Sequence, residues 1–349
     1  LVLMKNTVFD NPRKVIIEDV ANPTIHVPDD VVIHVVRTFV CGSDLWAYRG
    51  LEDKAEHSQN SGHEAIGVVE AVGNDITTVV PGDFVIAPFT HGCGHCAACL
   101  AGFDGDCQNH QDNFSDGVQA EYIRFQHGEW ALVKIPGQPS DYSDGMLNSL
   151  LSLADVMATG YHAARVANVK TGDTVVVVGD GAVGLCGVIA AKMRGAKRII
   201  AMSRHEDRQQ LAREFGATDI IAERGDEAIA KIKSLTNGAG ADAVLECVGT
   251  ELSNETAMQA ARPGAIVGRV GLPHEPKMDM TASFYNNTII AGGPASVTTY
   301  DKELLLKAVL DGDIHPGKVF TQQFSLDDID QAYQAMTNRE AIKSLIIVA

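Results

Sequence analysis

At 349 residues the chain exceeds the size at which a single core usually suffices, so two domains are expected, each with its own core. Its 28 basic against 45 acidic side chains give a formal charge of −17, and with no local basic patch to offset it, nucleic acid and anionic membrane surfaces are excluded as partners. The stretch Leu1 to Asn11 carries Lys5 and Asp10 in a short apolar run without a signal-peptide core, and no segment has the length of a membrane span; a cytoplasmic protein is expected, where the seven cysteines suit metal ligation or core positions better than disulfides.

From Val8 to about Ile135 the sequence reads as short β-type runs broken by Gly, Pro and Asp, such as Val31 to Val36, Ile66 to Val72 and Phe84 to Ala87. A β-rich first domain follows. Within it stand Cys41-Gly-Ser43-Asp44 and Gly62-His63-Glu64, whose cysteine, histidine and acid could each be a core residue when taken alone. Cys93-Gly-His-Cys96-Ala-Ala-Cys99 comes next, with Cys107 eight positions on, in a Gly-rich segment that makes a lobe of about 91–110. Four thiolates so spaced can close around one tetrahedral zinc with no open position, which marks a structural site. Free thiols, an iron–sulfur centre or a disulfide pair are the competing readings, and His95 is read as a bystander.

After Asp155 the texture changes. Strand-length apolar runs, Thr174 to Gly179, Arg198 to Met202, Asp219 to Ile221, Ala243 to Cys247 and Ala265 to Val270, alternate with helix-length segments. The latter are Ala182 to Arg194, Glu206 to Phe215, Glu227 to Leu235 and Ser253 to Ala261. Alternation of this kind predicts a doubly wound parallel sheet. Its first turn carries Gly179-Asp-Gly181-Ala182-Val183-Gly184, a GxGxxG pattern placed directly between strand and helix. Gly179 permits the tight turn, Gly181 lets the backbone approach a pyrophosphate, Gly184 allows close packing of helix on sheet, and the helix N-terminus offers its amides to the phosphates.

An acid that accepts from the adenosine ribose hydroxyls is expected at the end of the second of these strands, where the chain has Ser203-Arg204-His205. Losing the carboxylate removes repulsion toward a 2′-phosphate and Arg204 supplies a fork of donors, which favours NADP(H) over NAD(H); the bland alternative is that Arg204 is a solvated helix-start residue. Cys186 and Cys247 read as buried apolar residues. Beyond Pro294 come helix-like Asp301 to Leu310 and Asp327 to Met336 and strand-like Ser344 to Val348, a tail expected to rejoin the first domain. The domains are thus 1–155 with 297–349, and 156–296.

Together, the Cys41 to Asp44 and Gly62 to Glu64 motifs, the cysteine lobe, Asp155-Val-Met-Ala-Thr159-Gly160 and the glycine loop resemble the zinc-containing alcohol dehydrogenase branch of the medium-chain dehydrogenase/reductase family, over essentially the whole length. The resemblance implies an α/β chain: a β-rich GroES-like catalytic domain and a Rossmann cofactor domain. It makes Cys41, His63 and Asp155 ligands of a catalytic zinc with a fourth position open to water or substrate oxygen, and Glu64 a neighbour able to bind the metal transiently. Many members have cysteine where this chain has Asp155. Two zinc ions per chain are implied, one catalytic and one structural. An open zinc is a Lewis acid that acidifies a bound hydroxyl and, in reverse, polarises a carbonyl.

Ser43 matches the family's hydroxyl that passes the alcohol proton outward. A histidine often stands three residues later; here that position is Trp46, either a core aromatic or a residue that narrows the pocket. Thr159 and Gly160 match positions packed against the nicotinamide, Val270 and Gly271 are expected to reach its carboxamide through backbone groups, and Val248 is a further expected cofactor contact. The function implied is hydride transfer between a small alcohol or carbonyl compound and NADP(H), by a homodimer or homotetramer. A polyol or amino-alcohol dehydrogenase using NAD(H) and a catalytically inactive cofactor-binding homologue are the alternatives; a zinc-free quinone reductase has no use for both metal sets. Loops such as Phe89 to His91 and Phe114 are expected to line the substrate pocket.

Overall fold

A computed structural model describes residues 2–51, 59–109, 117–274, 277–295 and 299–349. The chain divides into two compact units, Leu1–Asp155 with Ser296–Ala349, and Val156–Ala295. Phe114 lies outside the described residues.

In the first unit the β-branched run Val31–Phe39 is the central strand of a seven-stranded sheet. Its path runs Phe320–Ser325, Lys343–Ile347, Val31–Phe39, Ala65–Val72, Phe84–Ala87 and Val133–Ile135, with Tyr122–Phe125 also paired to Val31–Phe39. Val31, Ile33, Val35, Val69, Val85 and Phe125 fill the core beneath it, the stiff branched side chains that suit a pleated buried face. The tail strand Lys343–Ile347 pairs antiparallel with Val31–Phe39, with Leu345 opposite Phe39. A smaller sheet holds the hairpin Leu3–Asn11 and Lys14–Ala21, which begins before the first strand expected from the sequence. The last helix starts later than expected, at Ile329, because residues Leu326–Asp328 form a tighter 3₁₀ turn.

The second unit is built on six strands, every neighbouring pair of them parallel. In spatial order they are Asp219–Ile221, Arg198–Met202, Thr174–Val178, Ala241–Glu246, Ala261–Arg269 and Ile289–Gly292. The order reverses between Thr174–Val178 and Ala241–Glu246, and the crevice outside the carboxyl ends of strands at such a point is where doubly wound sheets bind ligands. Val176, Ile200, Met202, Val244 and Val267 pack against Ala228, Ile232 and Ala257 of the helices. The sixth strand was not expected from the sequence: its apolar run, Ile289 to Ala291, is short, and it forms an edge whose residues are partly or fully exposed. Among the described residues no helix is long and apolar enough to cross a membrane.

Candidate active site

Antiparallel register assembles the first site. Thr38 pairs with Ala65, and Ala65 with Ala87, so the end of Val31–Phe39 lies beside the start of Ala65–Val72 and the end of Phe84–Ala87. Cys41 follows the first of these ends, and His63-Glu64 precede the second. Past the third, the Phe89 amide donates to the Ala154 carbonyl at 3.1 Å, which ties down the residue before Asp155. The result is a cluster in which one ligand atom from each of Cys41, His63, Glu64 and Asp155 lies within 4.8 Å of the others.

Cys41 Sγ is 3.3 Å from Asp155 Oδ2, and His63 Nε2 is 3.5 Å from Asp155 Oδ2 and 2.6 Å from Glu64 Oε1. A tetrahedral ion with ~2.1 Å bonds holds its ligands roughly 3.4 Å apart, so the 3.3 and 3.5 Å spacings among Cys41, Asp155 and His63 suit one, while the 2.6 Å His63–Glu64 contact is too short for two such ligands. Glu64 is fully buried, and its Oε1 has no directed hydrogen bond among the described residues despite the nearby His63 ring. A buried carboxylate oxygen left in that state fits a cation partner.

Electrostatics agree. Burial drives the Glu64 carboxyl well above its usual range, with Cys41 and Asp155 adding to the effect. Burial pushes His63 the other way, but the charges of Glu64 and Asp44 and bonds to Asp155 and Asp44 hold it well above an ordinary histidine. Asp155 ends far below the carboxylate range: burial opposes this, and hydrogen bonds from His63 and Glu64 overcome it. Without an ion, protons on His63 and Glu64 must do the neutralising that a divalent cation would otherwise do.

Two neighbours escaped the sequence reading. Asp44 Oδ1 lies 3.2 Å from His63 Nδ1, and its Oδ2 accepts from the Cys41 amide at 2.9 Å, so one carboxylate orients two members of the cluster. Lys343 is buried, its Nζ 4.4 Å from the centroid of the Phe39 ring, and the strand register continued by two pairs, through Ser344 and Val40, sets it opposite Cys41. Burial works against its charge, and the anionic field of Cys41, Glu64, Asp155 and Asp44 more than restores it. A lone lysine in the apolar run Ile342 to Ile347 was the available signal.

Ser43 is half-buried at the start of helix Asp44–Tyr48 and makes no capping bond. Trp46 is also half-buried, while Leu45, Ala47 and Tyr48 enter the core, so the indole is not a core aromatic. The Phe89 ring stands 5.9 Å from that of His63, whereas His91 is buried and stacked on Phe125 at 3.7 Å.

The sulfurs of Cys93, Cys96, Cys99 and Cys107 form the second cluster, again within 4.8 Å. All are free thiols, with Cys96 and Cys107 Sγ 3.9 Å apart, which rules out a disulfide and suits the ~3.8 Å edge of a tetrahedron with zinc–sulfur bonds of about 2.3 Å. Backbone amides of Cys93, Cys96, Cys99, Gln108 and Asn109 point at the sulfurs at 3.3–3.5 Å. Those of Cys99 and Gln108 bring the Cys96 thiol down to about 6, ready to ligate as a thiolate. His95 is exposed, consistent with a bystander. Trp130 closes the lobe: Nε1 donates to buried Asp104 Oδ2 at 2.9 Å, and its ring lies against Gly94.

In the second unit Gly179 has φ +116°, and a Cβ on Gly184 would lie 2.0 Å from the Gly179 carbonyl oxygen, so glycine is required at both. Gly181 faces open space and caps helix Ala182–Met193 with no side-chain bond, leaving the amides of the first turn, from Ala182 and Val183 on, to a ligand. Ser203 is fully buried; Arg204 and His205 are exposed. Arg224 approaches Arg204: burial first, and then the charge of Arg204, hold its guanidinium below the usual range, with Asp180 opposing.

Five expected cofactor contacts, Thr159, Gly160, Val248, Val270 and Gly271, sit in packed or hydrogen-bonded positions. Gly160 is a packing residue, where a Cβ would lie 2.6 Å from the Gly187 amide nitrogen. The Val270 and Gly271 amides both donate to the Glu246 carbonyl, at 2.9 and 3.1 Å, and the strand ends before them at Arg269. Val248 is exposed, its amide bound to Glu246 Oε1 at 2.9 Å, and Thr159 is buried in helix Val156–Val166.

Two family models match the chain: an alcohol dehydrogenase GroES-like domain over residues 27–137 and a zinc-binding dehydrogenase over residues 182–301. Zinc-type alcohol dehydrogenase B of Aspergillus flavus is 36% identical over a stretch covering 77% of this chain and 64% of that protein's length. An uncharacterized zinc-type alcohol dehydrogenase-like protein of Bacillus subtilis, AdhB, is 30% identical over 96% of this chain and 97% of its own. The solved structure of alcohol dehydrogenase TADH from Thermus sp. ATN1 matches with a TM-score of 0.89 at 29% identity, covering 99% of this chain and 100% of that one.

Proposed function

The chain belongs to the zinc-containing alcohol dehydrogenase family, and from that premise we propose that it transfers a hydride between a small alcohol, or the matching ketone or aldehyde, and NADP(H). The observation that carries this reading is the convergence of Cys41, His63, Glu64 and Asp155 within 4.8 Å. In it Cys41, His63 and Asp155 hold a catalytic zinc with Glu64 alongside, and the four lobe cysteines hold a structural one. Zinc in the first site contributes Lewis acidity toward a hydroxyl or carbonyl oxygen, and the nicotinamide gives or takes the hydride.

The chain's own groups supply position and proton transfer. Asp44 accepts from His63 Nδ1–H, which leaves Nε2 as the ligand atom. Ser43 Oγ takes the substrate hydroxyl proton and passes it outward; the Trp46 indole N–H can only donate, so the route leaves through another group. NADP(H) is favoured over NAD(H) because Ser203 stands where an acid would repel the 2′-phosphate and exposed Arg204 offers it a fork of donors.

The partner is a second copy of the chain, in a homodimer or homotetramer. Strand Ile289–Gly292 ends the parallel sheet, and just before it helix Met280–Asn286 exposes Met280, Phe284 and Tyr285. Joining two such edges about a two-fold axis satisfies both. Metal analysis with a panel of alcohols, aldehydes and ketones against both cofactors tests the whole reading. About two zinc ions per chain and carbonyl-dependent NADPH oxidation are expected; about one or none, or cofactor binding without turnover, overturns it.

A further inference from the structure

The second Rossmann strand ends without an acid, yet the folded chain puts a carboxylate there. Asp180, between Gly179 and Gly181, accepts a 2.8 Å hydrogen bond at Oδ2 from Ser203 Oγ. Arg208, in the first turn of helix Glu206–Phe215, directs Nη1 to the Asp180 carbonyl at 3.1 Å and to Oδ1 at 3.4 Å. With Ser203 fully buried, its hydroxyl serves Asp180 and not solvent.

This arrangement changes the charge balance at the adenosine end of the crevice. A 2′-phosphate carries about −1.5 to −2 charges and needs the donors that Asp180 already engages. Bringing it beside a carboxylate also places like charges in a shared set of arginines, Arg204, Arg208 and Arg224. A ribose 2′-hydroxyl meets no such conflict: it can donate to a carboxylate at this place as it would to an acid on the strand end itself.

We propose that Asp180 is a specificity-determining residue, a carboxylate lent by the glycine loop that accepts from the ribose hydroxyls of NAD(H) and withholds Ser203 and Arg208 from the 2′-phosphate of NADP(H). The chain then uses both cofactors, with Asp180 restraining a preference that Arg204 creates. The inference rests on the reading of this loop as the cofactor's phosphate cradle.

The test is calorimetric titration of the full chain with 2′,5′-ADP and with 5′-AMP, two probes that differ only in the 2′-phosphate, at one fixed ionic strength. Asp180→Asn should tighten 2′,5′-ADP about tenfold relative to 5′-AMP, and Asp180→Glu, which keeps the charge, should hold the wild-type ratio. An equal change for both probes, or none, overturns the proposal. Arg204→Ala separates the two readings: if it leaves the ratio untouched while Asp180→Asn shifts it, the role of Arg204 fails and that of Asp180 stands. Should neither probe bind the wild-type chain, the cradle reading falls and takes this proposal with it.

Discussion

Cys41 Sγ and Asp155 Oδ2 lie 3.3 Å apart although 114 positions separate them in the chain. A thiol and a carboxylate buried side by side are tolerable only with a proton or a cation between them. The sheet register that forces them together thus sets two potential ligand atoms side by side.

Cys41→Ala should remove the metal of that cluster and the dehydrogenase activity while the cysteine lobe keeps its own ion. Elemental analysis is expected to fall from about two zinc ions per chain to about one. A variant that retained turnover would remove Cys41 from the ligand set.

Gly94 carries φ +80°, and a Cβ there would lie 2.5 Å from the Trp130 ring that roofs the lobe. Gly94→Ala should cost about 1–3 kcal/mol through strain and overpacking, and should hasten release of the lobe's metal to a chelator. Thiol release followed with a chromogenic reagent measures it, and a rate equal to wild type would show that the roof does not guard the site.

Arg204→Asp should weaken NADPH more than NADH, since it replaces a donor fork with a like charge facing the 2′-phosphate. The ratio of the two KM values is the readout. A ratio that does not move would place Arg204 in solvent, with no part in choosing the cofactor.

Asp30 is fully buried and accepts from Arg124 Nε at 2.7 Å and from the His26 and Val27 amides at 2.8 and 2.9 Å. Burial pushes its carboxyl up, but these donors prevail and hold it below its ordinary value of 3.8. A depressed folded value means stability present in full above the unfolded value and lost as pH falls through the folded one. Asp30→Asn should cost about 1–3 kcal/mol at pH 7, with the gap to wild type closing below about pH 4. Urea unfolding at three pH values checks this; a gap independent of pH would assign the loss to packing.

Ile289→Lys, at the exposed start of the edge strand, should shift the chain toward monomer in sedimentation, with the second unit still folded. An unaltered assembly would move the interface elsewhere.

The sequence disclosed what depends on neighbours along the chain. Alternating apolar runs and helix-length segments announced the parallel sheet, because strand and helix periods are local; so did the 179–184 loop, whose glycines are dictated by a single turn, and the cysteine lobe, whose four sulfurs sit on one short segment. The edge strand Ile289–Gly292 went unread because its apolar run, Ile289 to Ala291, is too short to stand out.

Tertiary structure alone decided which distant ends meet. Thr38 opposite Ala65 and Ala65 opposite Ala87 carry Cys41, His63 and Asp155 to one place, a fact of register that no window of sequence contains. It likewise brought Asp180 onto Ser203, supplying from one loop the carboxylate that the next strand lacks, and set Lys343 opposite Cys41. Residue types and spacings fix what chemistry a segment can offer, while burial and hydrogen-bond register, acting across a hundred residues or more, choose the side chains that share a charge.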